Sequence, residues 1–163
     1  MKNVLTVCLA AVLMLAASGM AQEAEEKPWF DMEKCGFCKH LLEDPEMLDH
    51  CTWEHHNIGN GIVTVSTVEK EYLPAYRTAM IKMQEVGKKM EQGEMVPMCG
   101  MCTAIGGLMQ KGVKWEYVET EHGDIMIMTS DDPELVAELH AFSDKTNMEL
   151  EKMMAEAAPA EKE

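Results

Sequence analysis

Two short stretches carry the residues best suited to chemistry. "KCGFCKH" (34–40) and "PMCGMC" (97–102) each hold two cysteines separated by two residues. Two C-x-x-C pairs far apart in a chain are the usual frame for four thiolates around Zn²⁺, because a tight turn aims both sulfurs of a pair at one ion. The glycine after each first cysteine, Gly36 and Gly100, is read as permitting that turn. Cys35, Cys38, Cys99 and Cys102 are therefore the candidate metal ligands. Met98 and Met101 flank the second pair, and thiolate with thioether favours Cu(I), so Zn²⁺ and Cu(I) both stand as expected ions. His40 closely follows Cys38 and is a candidate extra ligand. "DHCTWEHH" (49–56) adds Cys51 and His55, which share one face of a strand while His56 points to the other. Plainer readings stand beside these extras: a surface histidine pair at a strand end, and methionines as core filling.

The same thiols support two other readings. "CGFCK" (35–39) resembles the CGxC-Lys of thioredoxin-like oxidoreductases over those residues alone, and the resemblance implies thiol–disulfide exchange. The strand–helix–strand unit that precedes the motif in that fold has no room in "QEAEEKPWFDMEK" (22–34). For exchange chemistry, Cys35 and Cys99 are the expected nucleophiles, being nearest the helix starts. The third reading is a non-catalytic binding domain with structural disulfides, Cys35–Cys38 and Cys99–Cys102. Such small loops put their stabilisation at the low end of the ~2–4 kcal/mol usual for disulfides. No Walker loop, G-x-S-x-G, H-E-x-x-H or dinucleotide glycine fingerprint occurs, so the reading leans away from an enzyme.

The setting follows from the ends and the charge. "MKNVLTVCLAAVLMLAASGMA" (1–21) has the n-region, apolar h-region and small-residue cleavage site of a signal peptide. The expectation is export to a periplasmic or secreted location, with no membrane span after cleavage. Cys8 leaves with the leader, and Cys51 is then the thiol outside the two pairs. The chain carries 14 Lys+Arg against 29 Asp+Glu, a formal charge of −15. With no basic patch, nucleic acid and anionic lipid are excluded as partners, and a metal ion is the expected one.

Those thiols need elements to position them. An offset of 62 lays Trp53-Glu54 on Trp115-Glu116, Gly61 on Gly123, Thr67 on Thr129, Leu73 on Leu135 and Ala75 on Ala137; an offset of 64 lays CGxC on CGxC. The sequence is accordingly read as a duplication, each half running CGxC, short helix, β-hairpin, long helix. The expected fold is α+β: a four-stranded antiparallel sheet packed against helices on one face. Segments 22–28 and 155–163 read as acidic lead-in and disordered tail around one domain at 29–154, with repeats at about 29–93 and 94–154. Ile62, Val63 and Val65 of "GIVTVSTV" (61–68) are good strand residues, and in "GDIMIMT" (123–129) Met126 and Met128 alternate with Ile125 and Ile127; this continuous apolar run suggests that both faces are covered, or one face plus a partner. Tyr72, Leu73, Tyr76, Met80, Met83, Val86 and Met90 form a helical stripe. Leu135, Val136, Leu139, Phe142, Leu150 and Met153 are the inward candidates of the second long helix, with Asp132 as N-cap and Pro133 at its first position.

Overall fold

The structure is a computed structural model, described over residues 27–157. The leader at 1–21, most of the acidic lead-in and the last six residues of the tail lie outside the described residues. Two 3-10 helices, Cys38–Leu42 and Pro45–His50, lead into strand β1 (Cys51–Ile58) and strand β2 (Gly61–Val68). Helix α1 (Leu73–Glu91) and helix α2 (Gly100–Gln110) follow, then β3 (Lys114–Thr120), β4 (Gly123–Thr129) and helix α3 (Pro133–Ala157). The sheet is four-stranded and antiparallel, in the order β1-β2-β4-β3. The first C-x-x-C pair is thus followed by 3-10 turns and the second by a three-turn α-helix, so the two short helices differ in kind. Helix α3 runs to Ala157, three residues past the end expected at 154.

Each hairpin is tight. Gly59-Asn60 joins β1 to β2, pairing Ile58 with Gly61, and Glu121-His122 joins β3 to β4, pairing Thr120 with Gly123. The hairpins meet through β2 and β4, with Val63 opposite Ile127 and Val65 opposite Ile125. A Cβ at Gly61 would lie 1.9 Å from the Met128 carbonyl oxygen, and one at Gly123 would lie 2.0 Å from that of Ser66. Glycine at both ends of the junction lets the two hairpins approach closely.

Strand alternation divides the sheet into two faces. Ile62, Met126 and Met128 point to the side where Leu108 of α2 and Leu135, Leu139 and Phe142 of α3 close the main core. Val68, Cys51 and Trp53, on that same side, pack with Met47 and with Tyr72, Leu73 and Tyr76 of the α1 stripe. The helical stripes therefore bury the faces their spacing indicated. Helix α1 ends before Gly93 and α2 before Gly112, both at positive φ (91° and 93°), as helix-terminating glycines do. Asp132 accepts the Glu134 N–H at 2.9 Å, capping α3 ahead of Pro133.

One polar group inside this core was not anticipated from the sequence. Asp124 is 4% exposed and accepts hydrogen bonds from the Tyr76 hydroxyl (2.6 Å) and the Tyr117 hydroxyl (3.0 Å). Burial, then the bond to Asp124, pushes the Tyr76 phenol far up; the Tyr117 phenol is pushed up to about 12. Both tyrosines stay protonated and donate to Asp124 Oδ2, which gives this buried polar oxygen two partners.

Candidate metal centre

Cys35 and Cys38 sit where the chain turns into the first 3-10 helix, and Cys99 is the N-cap of α2. Backbone contacts bring these segments together. The Gly36 N–H donates to the Pro97 carbonyl at 2.8 Å, crossing the first thiol loop over the second. The Gly100 and Met101 N–H groups donate to the carbonyls of Pro28 (2.9 Å) and Trp29 (3.0 Å). Trp29 is in turn held by Phe142, ring centroids 5.8 Å apart, and by the Lys145 ammonium 4.5 Å over its ring. The segment before the first pair thus straps the start of α2, and α3 anchors the strap.

This corrects the role assigned to the glycines. Neither Gly36 nor Gly100 has positive φ. Space is what they supply: a Cβ on Gly36 would lie 2.1 Å from Val96 Cγ1, and one on Gly100 would lie 3.1 Å from both the Pro28 oxygen and Trp29 Cα. It also removes much of the dipole argument for a free thiolate site at α2, because the first two N–H groups of that helix are engaged with carbonyls.

The four sulfurs converge. Every pair among Cys35, Cys38, Cys99 and Cys102 lies within 4.8 Å. Three contacts cross between the pairs: Cys35–Cys102 at 3.6 Å, Cys38–Cys99 at 3.8 Å and Cys38–Cys102 at 3.5 Å. No disulfide links them, so the expected local pairs Cys35–Cys38 and Cys99–Cys102 are not formed. Cys35, Cys38 and Cys99 are buried, Cys102 is half-buried, and Met32, Phe37 and Met101 pack around them. Hydrogen bonds from Cys102 and Cys38 hold the Cys99 thiol far below its usual range. The Cys102 thiol is pushed far up by its bonds to Cys38 and Cys99 and by burial. Cys38 accepts stabilisation from Cys102, but the bond with Cys99, burial and the charges of Cys99 and Cys35 outweigh it and push it up. Negative charge on sulfurs this close is mutually repulsive, and a cation at their centre would offset that repulsion.

The extra candidates stand apart from this group. Among the described residues, the only cluster of His, Cys, Asp and Glu side chains that could hold a metal is the four cysteines. His40 Nδ1 instead faces Glu43 at 2.8 Å. The Glu43 carboxyl is held below the usual carboxylate range by His40 and then by Lys82. Cys51 belongs to the α1-side core, and burial pushes its thiol up to about 11. His55 Nδ1 meets the Thr64 hydroxyl at 2.9 Å and its ring stands edge-on to Phe142, so Cys51 and His55 form no half-site despite sharing a face. Met101 packs against the thiols, whereas Met98 is half-buried beside them in sequence and absent from their packing shell. Sequence reasoning missed Val96, Pro97, Pro28 and Trp29, which act through backbone and contact and leave no spacing signature. No described helix is long and apolar enough to cross a membrane. No protein family, curated protein or solved structure significantly matches the chain.

Proposed function

We propose that this chain is an exported, acidic metal-binding protein whose four cysteines enclose one Zn²⁺. The observation that carries this is the spacing of the sulfurs. A tetrahedron with Zn–S of about 2.3 Å has edges of about 3.8 Å. The cross-pair distances of 3.5, 3.6 and 3.8 Å match that edge. A digonal Cu(I) dithiolate would hold its two sulfurs farther apart, on opposite sides of the ion, so Zn²⁺ is the better fit. Four protein ligands, three of them buried, leave no open coordination position, which is the pattern of a structural rather than a catalytic ion. The ion would pin the 28–50 segment to α2. Burial of three thiols also disfavours the exchange reading, because an incoming disulfide could reach only Cys102.

Export is proposed from the leader-like residues 1–21. The duplication is likewise proposed: the sequence offsets support it, as do two similar hairpins joined through β2 and β4.

Native mass spectrometry of protein purified under reducing conditions tests the metal reading. One Zn²⁺ per chain is expected, with serine at any of the four positions lowering occupancy and Cys51→Ser leaving it unchanged. A metal-free mass short by four hydrogens under all conditions would replace the ion with two disulfides and overturn the proposal.

A further inference from the structure

The face of the sheet turned away from the helices presents an apolar surface. Strand register places Ile58, His56 and Glu54 of β1 beside Val63 and Val65 of β2. Ile125 and Ile127 of β4 come next, then Lys114, Glu116 and Val118 of β3. None of the six apolar residues is buried, and Val118 is 46% exposed. Main-core packing lies entirely on the opposite side. An antiparallel sheet with one solvated face ordinarily turns polar residues outward, yet here the two central strands turn Val63, Val65, Ile125 and Ile127 away from the core.

We propose that this face is the interface of a homodimer in which two copies stack sheet on sheet. Charge supports a second copy as the occupant. The chain has 29 acidic residues, but only Glu54 and Glu116 point from the strands of this face, one on each edge strand, with Lys114 and His56 beside them. A two-fold axis parallel to the strands lays β2 on the partner's β4. Val63 then meets Ile127, Val65 meets Ile125, His56 meets Glu116 and Glu54 meets Val118. A two-fold across the strands lays Val63 on Val65, Ile127 on Ile125 and His56 on Glu54. Neither arrangement sets carboxylate against carboxylate, whereas most of the acidic surface would repel its copy. Size bounds its strength. Four strands at ~4.8 Å and about seven residues at ~3.4 Å give a face of roughly 19 by 24 Å, or ~450 Å² in projection per copy. Two copies bury ~900 Å² in all, below the ~1,200–2,000 Å² of stable specific interfaces and in the range of weak, transient ones, so a weak, concentration-dependent dimer is expected. The metal centre is built on the other side of the sheet, and this interface does not depend on what it binds.

Sedimentation velocity on the full chain, from ~1 to ~500 µM, tests the interface. A monomer–dimer equilibrium is expected, and it tightens with added salt, because screening relieves the repulsion between two acidic copies while leaving apolar contact intact. Val65→Lys should weaken the dimer at least ~30-fold. The paired change Val63→Thr with Ile127→Thr, which keeps β-branched residues, should weaken it as well if Val65→Lys fails to fold. Circular dichroism confirms that each variant is folded. A monomer at every concentration overturns the proposal. A dimer unmoved by a folded face variant, or a complex only with a different protein or an extended apolar peptide on this face, overturns it equally.

Discussion

Gly36→Ala probes the assembly of the centre most directly. The added methyl would lie 2.1 Å from Val96 Cγ1, and ordinary contact begins near 3.4 Å, so about 1.3 Å of separation must be found. Val96 must rotate or the two loops must move apart, and the Pro97 oxygen, 3.4 Å from the new atom, is already in contact with it. That same oxygen accepts the Gly36 N–H at 2.8 Å, so separating the loops also stretches their hydrogen bond. Overpacking of this kind costs ~1–3 kcal/mol. Metal-site distances tolerate only about 0.2 Å, so the cost should fall on the bound state. A loss of ~1–3 kcal/mol is about 5- to 150-fold in Zn²⁺ affinity. Competition against a chromophoric chelator at fixed pH measures it. Val96→Ala in the Gly36→Ala background should restore most of the loss, while Val96→Ala alone should change affinity little. Wild-type affinity in Gly36→Ala, or a loss that Val96→Ala does not rescue, would refute the argument that Gly36 is required for space.

Two further predictions concern the core. Tyr76→Phe removes one of the two donors to the buried Asp124 and should destabilise the fold by ~1.5–3 kcal/mol, read as a shift in urea midpoint at constant m-value; a change within ~0.5 kcal/mol would refute the buried-carboxylate account. His55 has its pKa lowered to about 4, by burial first and then by the neighbouring His56, against 6.5 for the free side chain. The unfolded chain therefore binds the extra proton between those values, so stability present above pH 6.5 is lost as pH falls toward 4, by at most ~3 kcal/mol. His55→Gln should flatten that part of the stability–pH profile, and parallel profiles for the two proteins would refute it.

Local pattern alone carried a large part of this protein. The 3.6-residue stripe of α1, the Asp132 cap of α3 and the two hairpins all follow from interactions within a few residues of one another, which is why spacing reports them. The four thiols were legible for the same reason, since a C-x-x-C turn is a local device. Convergence of the pairs was not local. It depends on Gly36 meeting Pro97 and on Pro28 and Trp29 meeting α2, contacts across some sixty or more residues with no periodicity. Tertiary structure also sorted the extra ligand candidates: Cys51 and His55 share a strand face as parity required, but α1 covers one and α3 the other. The apolar run of the central strands β2 and β4 was visible in the sequence as a choice between two covered faces and one face with a partner. Only the packing showed that α1, α2 and α3 contribute their core residues to one side, leaving Val63, Val65, Ile125 and Ile127 facing away from them.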